Sequence, residues 1–146
     1  MALKDINVSA LRGSLNACLN TINNSYTTDI VTSLSGDSSW SGQAKNNLKT
    51  AIDTLTNTRY SELKDKLEEY LSVADTIEEY QTIYNEMIEL NEELTSKKAS
   101  LNLENNKINK DSTTINTLTT SISTLQDSIA EKETMLMNIE NSLVIE

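Results

Sequence analysis

The 146-residue sequence contains no proline, no phenylalanine and no histidine, and it has only three glycines and one cysteine. Proline and glycine mark most turns between strands, so their scarcity argues against a β-sheet protein. Histidine is the commonest general base and metal ligand, and a single cysteine can form neither an internal disulfide nor a thiolate metal site. We therefore expect an all-α protein that is not an enzyme and that binds no metal or cofactor.

Acidic residues outnumber basic ones, and the formal net charge is −10. The imbalance is concentrated between Glu62 and Glu93, where eleven acidic residues face only two lysines. An acidic chain repels phosphate, so we expect no nucleic-acid partner. We interpret the acidic stretch as a solvated helix face, with a docking surface for a basic partner as the alternative. No apolar run has membrane-spanning length, and the first residues lack the continuous apolar stretch of a signal peptide.

Apolar residues recur at steps of three and four along the sequence, which predicts amphipathic helices. The stripe of the first helix includes Cys18, which we interpret as a small buried residue. We expect one elongated helical domain over residues 1–146, with helix one at 5–35, a turn at 36–42, helix two at 43–103 and helix three at 112–145.

Helices two and three each carry a seven-residue repeat of apolar residues, the seam of a coiled coil. Helix three is rich in Ser, Thr and Asn, which are weak helix formers, so it should depend on packing within the chain or against a partner. In helix two the predicted seam comprises Leu63, Tyr70, Val73, Ile77, Tyr80, Tyr84, Met87, Asn91, Leu94, Lys98 and Leu101. In the last third of the chain it comprises Ile108, Ile115, Ile122, Ile129, Leu136 and Leu143. The predicted partner interface is Leu118, Ile122, Leu125, Ile129, Leu136 and Ile139.

Two features conflict on whether helices two and three form one rod or a hairpin. The seven-residue phase is unbroken from Val73 to Leu143, which favours one continuous helix. The companion apolar positions, however, precede the main seam by three residues in helix two and follow it by three in helix three. A turn within LNLENNKINKDS would explain this switch, with Asp111 or Ser112 capping the returning helix. We favour the hairpin, in which helices one and three each cover half of helix two, over the rod.

The tripeptide Trp40-Ser41-Gly42 stands between two amphipathic helices, in the context WSGQAKNNLKTAI. Gly42 permits close backbone approach and an unusual backbone angle, and Trp40 can cover the open end of a helix pair. This arrangement resembles the Trp-x-Gly (WXG) superfamily of small helical hairpins, which are substrates of type VII (ESX-like) secretion systems. The resemblance covers about residues 5–85 and implies a helical hairpin in which Trp40, Gly42 and Ala44 form a turn recognised by the secretion machinery.

The resemblance implies a non-enzymatic secretion substrate or accessory protein that is exported without a classical signal peptide, or is cytoplasmic before export. Its implied partners are a type VII secretion ATPase and a helical protein, either a toxin's N-terminal region or a second small helical protein, with a homodimer also possible. One feature departs from the family: none of Tyr60, Tyr70, Tyr80 and Tyr84 has an acidic residue four positions later, so a partner would have to supply that part of the export signal. The alternative function is a cytoplasmic coiled-coil adaptor or assembly protein.

Overall fold

The computed structural model describes residues 2–27 and 42–143, and all regular structure within these ranges is helical. This confirms the predicted all-α class. Residues 28–41, which include the end of the predicted helix one and most of the predicted turn, lie outside the described residues. The elements are a short 3₁₀ helix Leu3–Asp5, α1 Val8–Thr27, α2 Gln43–Thr54, a π-helical segment Leu55–Tyr60, α3 Ser61–Asn105 and α4 Ser112–Ser142.

The chain divides into two compact units, and the single domain over residues 1–146 stays a prediction. The first, which we call the hairpin unit, comprises Met1–Ile6 together with Thr76–Glu146. The second, which we call the α1–α2 unit, comprises Asn7–Asp75. The border between the units falls within α3, so this single helix contributes to both.

In the hairpin unit, α4 returns along α3 in the antiparallel direction. The Tyr80 hydroxyl donates a hydrogen bond of 2.8 Å to Glu140 Oε1, and Lys132 forms an ion pair with Glu86. Since later residues of α4 meet earlier residues of α3, the chain forms a hairpin here and not a rod. The core of this hairpin is a cluster of Tyr80, Ile83 and Leu136, against which Leu3, Tyr84, Met87 and Ile139 pack.

The seam of α4 follows the predicted pattern, but the seam of α3 differs from it in one row. Asn91 and Lys98, predicted as seam residues, are exposed. Burying the Asn91 amide without partners would be costly, so α3 turns Ile83 and Leu90 inward instead, and the lysine of this row, Lys97, stays only half-buried and pairs with Glu93. The residues of α3 that are buried or half-buried in the seam are Tyr80, Ile83, Met87, Leu90, Leu94, Lys97, Leu101 and Glu104.

Ile83 and Leu90 are companions three positions after the main seam, on the side that α4 also uses, while Ile77 and Tyr84, three positions before it, are also buried or half-buried. The companion positions of α3 therefore lie on both sides of its main seam, and the predicted switch is only partial. The turn nevertheless lies within the predicted stretch, between Asn105 and Ser112. Ile108, which was predicted as a seam residue, is fully exposed in this turn (101%).

A buried carboxylate organises the turn. Glu104 is only 7% exposed, and its side chain accepts hydrogen bonds from Lys107 Nζ at 2.5 Å and from the Asp111 backbone N–H at 3.1 Å. Asp111 is the N-cap of α4, as one of the two predicted alternatives had it, and it accepts hydrogen bonds from the Thr113 backbone N–H and the Thr114 hydroxyl. We call these contacts of Glu104 and Asp111 the turn latch.

The segment before α1 lies against α3 within the hairpin unit. The side-chain amide of Gln81 donates hydrogen bonds to the carbonyl oxygens of Leu3, at 3.0 Å, and of Ile6, at 2.8 Å. Lys4 Nζ lies 5.3 Å from the ring centroid of Tyr84, a distance suited to a cation–π contact. The segment therefore extends the hydrophobic cluster of the hairpin on the Tyr84 side.

The α1–α2 unit shows the predicted stripe on α1, with one exception. Leu11, Leu15, Leu19 and Ile22 are half-buried, but Cys18 is exposed, so its prediction as a buried residue is wrong. The predicted stripe included one residue too many, because Leu15, Leu19 and Ile22 already have the helical spacing of four and three without Cys18. An ion pair of 2.7 Å between Arg12 and Asp75 joins α1 to α3 within this unit.

We expect acid to destabilise the hairpin through the turn latch. Lys107, and then the Asp111 backbone N–H, lower the pKa of Glu104 below its ordinary value. The Thr114 hydroxyl and the Thr113 N–H likewise lower the pKa of Asp111. A depressed folded-state pKa means that the stabilisation is complete above the unfolded-state pKa, about 4.3 for Glu and 3.9 for Asp, and is lost as the pH falls through the folded-state values.

Urea denaturation of wild type and Glu104→Gln at pH 7 and at pH 3 measures this effect. Glu104→Gln should be less stable than wild type at pH 7, and the difference should shrink at pH 3. The matched control is Glu92→Gln, which changes an exposed carboxylate on the same helix. A difference for Glu104→Gln that is the same at both pH values would contradict the role of its charge.

Candidate partner-binding site

The Trp-x-Gly motif is only partly within the described residues. Trp40 and Ser41 lie outside them. Gly42 is the N-cap of α2, and its carbonyl oxygen accepts a hydrogen bond of 3.2 Å from the Asn46 backbone N–H. Ala44, predicted as part of the recognition turn, is exposed on the first turn of α2. The described part of the motif is thus the start of a helix with its small residues accessible.

Gly42 is required for its backbone angle and not for close packing. Its φ is 90° and its ψ is −161°, a region that residues with a side chain rarely adopt. A Cβ added there would meet no atom of the described residues within 4 Å. The expectation of an unusual backbone angle is therefore confirmed, whereas the expected close backbone approach is not found in the described part of the chain.

We expect Gly42→Ala to destabilise the fold by about 1 to 3 kcal/mol, because alanine must adopt the strained angle. Gly13→Ala is the matched control, since Gly13 lies within α1 and also has no neighbour within 4 Å of an added Cβ. Its higher helix propensity should stabilise α1 by up to about 1 kcal/mol. Thermal and urea unfolding measure both changes, and effects of the same sign would contradict this account of Gly42.

The residues of α4 predicted as a partner interface face the helix of their own chain. Ile129 and Leu136 are buried, and Leu136 belongs to the cluster with Tyr80 and Ile83. Ile139 packs against that cluster, and Leu118, Ile122 and Leu125 are half-buried on the same side of α4. In this hairpin, α3 supplies the packing that the weakly helix-forming sequence of α4 requires.

A different set of apolar side chains is exposed in the α1–α2 unit. Four large residues of the helices after Gly42 face solvent, with exposed fractions between 39% and 50%, although two of them, Leu63 and Tyr70, were predicted as seam residues. The four are Leu48, Leu55, Leu63 and Tyr70, and we call them the apolar row. Three ion pairs lie along the same stretch of helix: Arg59–Glu62 at 3.1 Å, Lys64–Glu68 at 3.7 Å and Lys66–Glu69 at 2.5 Å.

The π-helical segment Leu55–Tyr60 keeps the apolar row in line. The four residues are separated by seven, eight and seven positions, and the step of eight crosses this segment. A π-helix has more residues per turn than an α-helix, so the segment absorbs the extra residue. Ile52, Tyr60 and Leu67 are separated by eight and seven positions, and their step of eight also falls in the π-helical segment. These three residues are half-buried, so the helical stretch from α2 to α3 has one partly covered stripe beside the exposed apolar row.

Polar chemistry offers no competing site within the described ranges. The hairpin has an acidic groove lined by Glu86, Glu89, Glu93, Glu131 and Lys132, but no group of His, Cys, Asp or Glu in residues 2–27 and 42–143 is arranged to hold a metal ion. The hydrogen bond to Glu140 raises the pKa of Tyr80, which keeps this phenol protonated as part of the core. None of the described helices has the length and apolar character needed to cross a membrane.

Comparison with protein-family models, with curated proteins and with solved structures finds no match to this chain.

Proposed function

We propose that this chain is a non-enzymatic substrate or accessory protein of a type VII secretion system. The observation that carries the proposal is the Trp40-Ser41-Gly42 sequence directly before α2, with Gly42 at a backbone angle that favours glycine and at the N-cap of that helix. Because the backbone angle at position 42 favours glycine, the glycine of the tripeptide has a structural role. A tripeptide that arose by chance would not be expected to have one. The proposal is further supported by the helices α1 and α2, which precede and follow the tripeptide along the chain, because a helical hairpin with a Trp-x-Gly turn requires a helix on each side.

The proposed partner is a helical protein, either the N-terminal region of a toxin or a second small helical protein. The apolar row supports this partner, because seven-residue spacing along a helix suits pairing with another helix. Exposed leucine and tyrosine side chains supply apolar area, and the ion pairs beside them would form a polar rim. The chain would be cytoplasmic when it pairs with its partner and would then be delivered to the type VII ATPase for export.

Secretion tests the role of the motif. We expect Trp40→Ala and Gly42→Ala to accumulate in the cells of a Gram-positive host with a type VII system and to be absent from the medium, while helical circular dichroism is retained. Ser41→Ala is the matched control, because it alters the middle of the tripeptide and leaves tryptophan and glycine in place. Normal secretion of both variants, or secretion that continues without the type VII ATPase, would favour a cytoplasmic adaptor instead.

Co-purification tests the apolar row. Burial of a Leu or Tyr side chain contributes about 1.5 to 3 kcal/mol, so Leu63→Lys and Tyr70→Lys should each weaken pairing with the product of an adjacent toxin gene by about tenfold or more. The control is Leu103→Lys, which places the same charge on a leucine of the hairpin unit that is also exposed (69%). If Leu103→Lys weakens pairing and the other two do not, the partner binds the hairpin and not the apolar row.

A further inference from the structure

The seams of α3 and α4 share one uninterrupted heptad phase, although a turn separates the two helices. The buried or half-buried positions of α3 end at Leu101 and Glu104, and those of α4 begin at Ile115 and Leu118. Ile108 and Asp111 stand at the positions that join these two series by steps of four, three and four. The residues of the complete series, separated alternately by three and four positions, are Tyr80, Ile83, Met87, Leu90, Leu94, Lys97, Leu101, Glu104, Ile108, Asp111, Ile115, Leu118, Ile122, Leu125, Ile129, Lys132, Leu136, Ile139 and Leu143.

The turn itself contains no residue that a helix would exclude. Residues 106–111 have the sequence NKINKD, with neither glycine nor proline. Within the described ranges the only residue with a positive φ is Gly42. Every residue of the turn therefore has a negative φ, as residues in an α-helix do. The hairpin turn is therefore held by contacts and not by an obligatory backbone geometry.

We propose that the hairpin can open at residues 106–111 into one continuous helix, and that two opened chains pair by exchanging α4. In the exchanged dimer, α4 of each copy occupies the place on α3 of the other copy that its own α4 occupies in the hairpin. The Tyr80–Glu140 and Glu86–Lys132 contacts then form between chains in the same register. Exchange of an identical element between protomers is a low-cost route to a dimer, because it reuses an interface that already exists.

The hydrogen bonds lost from the turn are replaced when the helix becomes continuous. The Asp111 N–H would leave Glu104 and bond to the Lys107 carbonyl, and the Thr113 N–H would leave Asp111 and bond to the Asn109 carbonyl, as in any α-helix. Unpaired backbone groups at the end of α3 and the start of α4 would also gain partners. Ile108, which is fully exposed in the hairpin, would enter the seam. Opposing these gains are the turn latch and the cost of association, so protein concentration sets the balance.

A cross-linking experiment separates the two states. Glu86→Cys and Lys132→Cys are introduced into a Cys18→Ser background, since Cys18 is exposed and would react, and the full chain is treated with a short bismaleimide. In the hairpin the link joins two positions of one chain and gives a monomer on a denaturing gel. In the exchanged dimer it joins two chains and gives the mass of a dimer.

Removing the turn latch should favour exchange. With Glu104→Ala and Asp111→Ala added to the cysteine pair, we expect the dimer-to-monomer ratio at a given concentration to rise by about fivefold or more, because the loss of a helix cap alone shifts a folding equilibrium by about that factor. The dimer share should also increase with protein concentration. The matched control inserts two glycines between Ile108 and Asn109 in the latch-free chain, which breaks both the helix and the heptad phase and should leave only monomer.

Each outcome decides the proposal. Monomer alone from the latch-free chain at every concentration would overturn it, and so would an equal dimer share after the glycine insertion, since the copies would then associate through another surface. If the latch-free chain lacks helical circular dichroism, the cysteine pair with an intact latch is refolded from urea at increasing concentration. A dimer share that grows with concentration supports exchange, and its absence at all concentrations rejects it.

Discussion

The row of side chains that α3 buries decides how it packs, and the rest of the hairpin follows from that choice. Turning Ile83 and Leu90 inward buries two apolar side chains and leaves the Asn91 amide exposed, whereas each of the two alternative rows carries one lysine, Lys97 or Lys98. The same register carries Glu104 into the seam at the end of α3. A buried carboxylate must be compensated, and Lys107 together with the Asp111 N–H provides this compensation at the point where the chain reverses.

Glu104 therefore connects the packing of the helices to the position of the turn. The contact with Lys107, three residues later, could also form within a helix, but the hydrogen bond from the Asp111 N–H, seven residues later, forms only because the chain leaves the helix after Asn105. Asp111 then caps the first turn of α4, and α4 supplies Leu136 and Ile139 to the cluster on α3. Because the contacts of the turn latch all lie between residues 104 and 114, a change in charge at Glu104 or Asp111 alters the point at which the chain reverses.

The two units present different surfaces for association. The apolar row belongs to the α1–α2 unit, where the π-helical segment aligns four exposed side chains, and it suits a helical partner of different sequence. The exchange of α4 belongs to the hairpin unit and uses side chains that are already paired within the chain. A partner on the apolar row and a second copy at the hairpin would consequently use separate sets of residues. The high acidic content around both surfaces keeps like chains apart at low concentration and makes such pairing sensitive to salt.

Some of this structure could be predicted from the order of the residues. The absence of proline together with apolar spacing of three and four predicted helices, the series from Ile115 to Leu143 predicted the seam of α4, and the composition of LNLENNKINKDS predicted a turn and a cap at Asp111 or Ser112. These features are local, because they depend on backbone propensity and on periodicity within one helix. Other features depend on which helix lies opposite. They are the inward position of Ile83 and Leu90 in place of Tyr84 and Asn91, the exposure of the apolar row and of Cys18, and the burial of Glu104. Only the tertiary structure decides them, because desolvation acts on a side chain through neighbours that are distant in sequence.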